Sequence, residues 1–220
     1  MSDRPFLWAP AASEVDVEVD GVRRRCELVD ERWIAPGDWR DGARYRFVVD
    51  GRAVPDPRSR SQPDGVHGAS EWRAPVRPVP WSPGEQLPSM ERAVINELHV
   101  GSFSEQGTFL GAIERLDHLV ELGVTFVELM PVAAFDGRVG WGYDGVALFA
   151  PHHPYGTLDD LRRLIAACHE RGLGVLVDVV LNHLGPSGNH LAVSGPYFTH
   201  RYSTPWGDAL NLDGPDADGV

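Results

Sequence analysis

Residues 174–183, GVLVDVVLNH, decide the fold. GVLVDVV is a near-continuous apolar run of strand length, and runs of this kind mark strands buried on both faces, as in parallel sheets. Upstream of it, Leu158, Leu161, Leu164, Ile165 and Cys168 fall on one helical face. Thr157 and Asp160 open that helix in a capping-box pattern, with Asp where Glu or Gln is usual, and Gly172 closes it. Further back, Val124–Met130 (VTFVELM) is a second apolar strand. Phe109, Ile113, Leu116 and Val120 predict a helix ending at Gly123, and Ala93–Val100 (AVINELHV) is a first strand. Strand, helix, strand, helix, strand predicts consecutive βαβ units, a parallel sheet covered by helices.

The N-terminal part has a different rhythm. Val15, Val17 and Val19 alternate with Glu14, Asp16, Glu18 and Asp20, a period of two with one dry and one acidic face. Asp20-Gly21 reads as a tight hairpin turn with Val22 to Leu28 returning, and Asp50-Gly51 as a second, between the Tyr45, Phe47, Val49 strand and Arg52–Val54. Short alternating strands between Gly and Pro signals predict an antiparallel β-sandwich. Prolines at 75, 78, 80, 83 and 88 favour extended backbone and mark a semi-rigid joint. The expected division is therefore 1–75 sandwich, 76–91 proline-rich linker, and 92–220 α/β region.

The chain has 220 residues, net charge −12, and no lysine, so all 20 basic residues are arginine. An acidic chain repels phosphate backbones, which argues against nucleic acid as a partner. No run approaches the roughly 18 apolar residues that span a bilayer, and MSDRPFLWAP lacks the basic and apolar regions of a signal peptide. Cys26 and Cys168 are expected as reduced packing residues, which with the missing leader points to the cytoplasm.

In parallel α/β folds ligands lie at the carboxyl ends of the strands. There this chain has His99-Val100-Gly101-Ser102-Phe103, a loop with Trp141-Gly142-Tyr143-Asp144-Gly145, and Asp178 to His183. Aromatic faces stack on sugar rings, and Asp, Asn and His bond hydroxyls. Asp178, Asn182 and His183 also read as metal-ligand types, but their spacing is not a zinc signature, and neither metal nor cofactor is expected.

DVVLNH, together with FLWAP, VPDPRSRSQPDGVHGASE, NELHVGSFSEQGTF, WGYDGV, YGTLDDL and TPWGDALN, resembles the α-amylase family of glycoside hydrolases. Within that family the longer stretches are similar to the branch that acts on maltooligosyltrehalose. The resemblance covers nearly the whole chain. It implies an immunoglobulin-like sandwich followed by about three βα units of a (β/α)8 TIM barrel, and hydrolysis of the α-1,4 bond adjoining a terminal trehalose unit. It implies that Tyr143 stacks on the sugar at the cleavage point, His183 bonds its hydroxyls, and Asp178, with Asn182 beside it, organises the floor. Trp141 shares the Tyr143 loop.

The resemblance puts the nucleophilic Asp, the acid Glu and a stabilising Asp after the fourth, fifth and seventh barrel strands, beyond Val220. Glu97 and Glu128, inside strands, are expected to be structural, so this chain alone is expected to be inactive. Phe126 departs from the pattern, in a strand where a smaller residue is expected. Residues 184–220 are expected to be loosely held. Competing readings are a glycogen branching or debranching relative, and a non-catalytic glucan-binding protein that uses Trp8, Trp33, Trp39 and Trp72. Core packing is the simpler role for those tryptophans.

Overall fold

The computed structural model describes residues 4–75 and 88–220. Most of the expected proline-rich joint, residues 76–87, lies outside the described residues. Its last part contains a single 3-10 turn, Met90–Arg92, capped by Ser89.

Eight strands form the N-terminal part: β1 Phe6–Trp8, β2 Val15–Val19, β3 Val22–Arg25, β4 Glu27–Val29, β5 Arg32–Ile34, β6 Arg44–Val49, β7 Arg52–Val54 and β8 Ser70–Glu71. They make two antiparallel sheets. One has the order β1-β5-β4, and the other β3-β2-β6-β7 with β8 also on β6. The sheets share one core of Leu7, Val15, Val17, Trp33, Tyr45, Phe47 and Val49, which is the expected sandwich. The period-two pattern explains it: Val15 and Val17 are fully buried, and their partners across the ladder are Val49 and Phe47.

The acidic face of β2 is matched by arginines on β3. Asp16 sits opposite Arg25 and Glu18 opposite Arg23, with ion pairs at 2.9 and 3.4 Å. Both expected turns form, with positive φ at Asp20 and Gly21 and again at Asp50 and Gly51. The return strand, however, does not run from Val22 to Leu28 in one sheet. It breaks at the buried Cys26, and β4 crosses to pair with β5 in the other sheet.

The α/β part contains strands β9 Ile95–Leu98, β10 Phe126–Leu129, β11 Ala133–Ala134, β12 Ala147–Pro151 and β13 Gly174–Val177, and helices α1 Val100–Phe103, α2 Phe109–Ile113, α3 Leu116–Glu121 and α4 Leu158–Glu170. β9, β10 and β13 form the expected parallel sheet, with β10 in the centre. The helix expected over Phe109–Val120 is split into α2 and α3. Leu119, not Val120, faces the core, and Val120 is 43% exposed. Gly123 adopts the left-handed backbone expected of a closing glycine.

Helix α4 starts with a complete capping box. The Thr157 side chain accepts from the Asp160 amide, and the Asp160 side chain accepts from the Thr157 amide. Phe126 has its room from a neighbour. Gly174 is its register partner, and a Cβ there would fall 2.3 Å from the Phe126 ring. A glycine opposite a phenylalanine thus does the job of a smaller residue at 126.

Residues 184–220 are held rather than loose. They form α5 Leu191–Ser194 and the hairpin β14 Phe198–Thr204 with β15 Gly207–Leu210. Leu184, Leu191, Tyr197 and Leu210 enter a third core cluster with Trp8, Val66, Val146 and Ala150. Trp8 meets Tyr197 edge-to-face at 5.2 Å, so this stretch ties the sandwich to the α/β part. Burial of apolar side chains overrides the Gly and Pro signals that suggested a mobile excursion. Cys26 and Cys168 are free, buried thiols. Among the described residues no helix is long and apolar enough to cross a membrane.

Candidate functional site

The three parallel strands end level with one another. Leu129 is in register with both Leu98 and Val177, and the Met130 and Asp178 amides continue the ladder to Leu98 and Leu129 oxygens at 3.0 and 2.9 Å. His99, Met130 and Asp178 therefore start three loops on one rim, as the topology predicted.

The 140–145 loop is fixed to that rim at three points. First, the Gly140 carbonyl lies 2.8 Å from His99 Nε2 and 3.3 Å from the Tyr155 hydroxyl. A carbonyl only accepts, so His99 donates from Nε2, and its Nδ1 is left to accept from the Ser102 hydroxyl at 3.1 Å. Second, Gly142 has φ +90°, and a Cβ would fall 2.2 Å from the Pro131 carbonyl oxygen, so only glycine fits. Third, the Gly145 carbonyl accepts from the Gly185 amide at 3.3 Å, and a Cβ on Gly185 would meet the Asp144 carbonyl oxygen at 2.3 Å.

The floor beneath the loop is a buried ring stack. His152 lies on Phe135 at 3.6 Å and 11°, and Phe135 also abuts Gly140. Burial holds the His152 imidazole down at about 4, neutral at physiological pH. Arg138 backbone is the polar group facing it, but neither ring nitrogen makes a hydrogen bond of good geometry.

Fixing Gly142 and Gly145 fixes Tyr143 between them. Its hydroxyl lies near the Asp178 carboxylate, just past the end of β13. Burial first, then the neighbouring Asp178 carboxylate, push the phenol up from its ordinary value, with smaller contributions from Glu97 and Glu128. Glu97 and Glu128 are register partners on β9 and β10. Glu97 is exposed and Glu128 half-buried, and both are close enough to act on Tyr143.

A second group follows β13. His183 is buried, with Nδ1 3.1 Å from Asn182 Oδ1, so Nδ1 donates and Nε2 is the acceptor. Trp206, 66% exposed, stacks on the His183 ring at 5.0 Å and 23°. Residues 183–185 back the Tyr143 loop, so the two groups share one rim. Trp141 is 73% exposed, and among the described residues no hydrogen bond or ring contact joins it to the others.

Thus Tyr143 meets Asp178, and Asn182 meets His183, while Trp141 stands apart. His99 was placed on the rim from sequence without a role, and Tyr155 and Trp206 were not singled out. The signals were present in the His99 position just after a strand and in the aromatic of TPWGDALN. Among the described residues no three His, Cys, Asp or Glu side chains gather as a metal site. Of the four tryptophans considered for glucan binding, Trp8 and Trp33 are buried, and Trp39 and Trp72 pack against the sandwich core.

The family model described as "Alpha amylase, catalytic domain" matches residues 55–201. Malto-oligosyltrehalose trehalohydrolase of Mycobacterium tuberculosis is 49% identical over 97% of this chain and 38% of its own length. The protein of the same name from Saccharolobus solfataricus is 43% identical over 97% of this chain and 39% of its own. The chain thus spans under two fifths of the length of these curated relatives. Among solved structures, the putative alpha amylase from Salmonella typhimurium superposes with a TM-score of 0.89 at 41% identity, over 98% of this chain and 38% of that one. The parallel sheet, its level rim and the matched span together lead to one conclusion: the chain belongs to the α-amylase family.

Proposed function

We propose that this chain forms the substrate-binding floor of a glycosidase that cleaves the α-1,4 bond adjoining the terminal trehalose unit of maltooligosyltrehalose and releases trehalose. The observation that carries the reading is the 43–49% identity to trehalohydrolases along 97% of the chain. The geometry supports it. Tyr143 offers an aromatic ring near Asp178, His183 offers an acceptor nitrogen on the same rim, and Trp206 adds a second ring. Aromatic faces with convergent hydroxyl-bonding groups suit a glucan.

In this reading 1–75 is an immunoglobulin-like domain, 76–91 a linker, and 92–220 the first βα units of a (β/α)8 barrel. Hydrolysis with retention requires two carboxylates about 5–5.5 Å apart, one ionised as nucleophile and one protonated as acid. We assign the nucleophilic Asp, the acid Glu and a third Asp to positions after the fourth, fifth and seventh barrel strands, beyond Val220. Cytoplasmic action on a soluble glucan is part of the same proposal.

The test uses the complete gene product with maltotriosyltrehalose and with plain maltopentaose. Trehalose is expected from the first, with little cleavage of the second. Tyr143→Ala is expected to lower kcat/KM by about a hundredfold, the size seen when a positioning contact is lost. Equal cleavage of both substrates would instead favour a branching or debranching relative.

A further inference from the structure

We infer that an arginine-lined cleft on the N-terminal sandwich binds a small phosphorylated sugar, at a site that shares no lining residue with the Tyr143 rim and does not depend on the function proposed above. The cleft measures about 350 Å3 and opens between β1, β5, the 56–60 loop, β8 and Phe149 of β12. That falls within the usual range for ligand pockets, roughly 300–1,000 Å3. Five of its thirteen lining residues are arginine, in a chain of net charge −12 where arginine supplies 20 residues of 220.

Its two carboxylates offset only part of that charge. Glu71 is already engaged by Arg73 at 2.8 Å and Arg44 at 3.4 Å. Asp56 is buried, with its oxygens on the Tyr45 hydroxyl and the Arg58 amide. Arg32 and Arg58 remain. Among the described residues neither forms an ion pair with a carboxylate. Both guanidinium groups are instead held over the one Phe6 ring, at 5.2 and 5.3 Å, and Arg58 also lies 5.6 Å from the Phe149 ring.

Two like charges over one ring repel, and the ring quadrupole offsets only part of that cost. A dianion in the cleft that both of them line offsets that repulsion, and the planar guanidinium fork matches a phosphate by paired hydrogen bonds. Phe149, 55% exposed, offers a flat apolar wall for a ring. A phosphate-sized charge and a flat ring together describe a phosphorylated sugar.

The experiment is calorimetric titration of the 220-residue chain with glucose 6-phosphate, inorganic phosphate and glucose, at low and high salt. Glucose 6-phosphate is expected to bind roughly tenfold tighter than either other probe and to weaken as salt rises. Arg32→Gln and Arg58→Gln are each expected to weaken it roughly tenfold. Arg23→Gln, on β3 and paired with Glu18, is expected to leave it unchanged. The two cleft variants sit on different elements, and the salt series needs no variant, so misfolding of one does not rescue the idea. Absence of glucose 6-phosphate binding, binding unaltered in both cleft variants, or salt-independent binding would overturn the assignment. Phosphate binding as tightly as glucose 6-phosphate would overturn the sugar part of it.

Discussion

Replacing Asp56 by Asn is expected to stabilise the protein at neutral pH and to flatten its stability profile on the acid side. Asp56 is 3% exposed. Its Oδ2 lies 2.5 Å from the Tyr45 hydroxyl, and its Oδ1 accepts from the Arg58 amide at 2.8 Å. These bonds and the nearby Arg58 charge favour the ionised form. Burial outweighs them and pushes the carboxyl from 3.8 up to about 6. At about 1.4 kcal/mol for each pH unit, the ionised form costs the native state about 3 kcal/mol.

Because the folded-state value lies above the unfolded one, the native state binds the extra proton between the two. Stability from this group is full below pH 3.8 and is lost as pH rises to about 6. Asparagine keeps the shape and carries no charge. Its oxygen accepts from the Arg58 amide, its Nδ2 donates to the Tyr45 oxygen, and the Tyr45 hydroxyl hydrogen turns to Ser59, which already faces it. Weaker neutral hydrogen bonds offset part of the gain, about 1–2 kcal/mol. The net expectation is a gain of about 1–2 kcal/mol at neutral pH that shrinks as pH falls and turns into a loss of similar size toward pH 4. Urea unfolding followed by tryptophan fluorescence, repeated across that range for both proteins, measures it. A loss of stability at neutral pH, or an unchanged acid-side slope in the variant, would refute the reasoning.

Two further substitutions test the rim and its supporting helix. Gly142→Ala puts a Cβ against the Pro131 carbonyl at φ +90°, which costs at least about 1–2 kcal/mol from the backbone alone. It should also free Tyr143 from Asp178, read as a fall in the Tyr143 titration midpoint by ultraviolet absorbance; an unmoved midpoint would show that the loop is not set by this contact. Thr157→Ala removes one half of the α4 capping box and is expected to lower stability by about 1 kcal/mol in chemical denaturation, with the glucan affinity unchanged.

Much of the architecture was legible from local pattern. Val15 and Val17 on one side of a two-residue period, and the apolar runs 124–130 and 174–180, announced an antiparallel sandwich and a parallel sheet. The reason is that side-chain periodicity is set by backbone geometry, which each short segment carries by itself. Thr157, Asp160, Gly123 and Gly172 marked helix ends for the same local reason. That Tyr143 and Asp178 belong to one rim was legible because both follow strands of one parallel sheet, and that topology puts such residues at the same end.

What failed was non-local. Val22–Leu28 read as one strand, because nothing nearby says that the chain leaves one sheet at Cys26 to join the other. Val120 looked like a core position, until the break between α2 and α3 turned Leu119 inward. Residues 184–220 looked loose from their Gly and Pro content, yet Trp8, far away in sequence, gives Tyr197 a partner.

Local pattern along the chain settled the elements, their order and the residues at strand ends, since those depend on near neighbours. The packed fold was needed to bring His99 and Tyr155 onto the Gly140 carbonyl, to give Phe126 its room beside Gly174, and to set Arg32 and Arg58 against one phenylalanine ring. Those contacts join residues tens of positions apart, and their energies arise from packing and charge across space that no window of sequence contains.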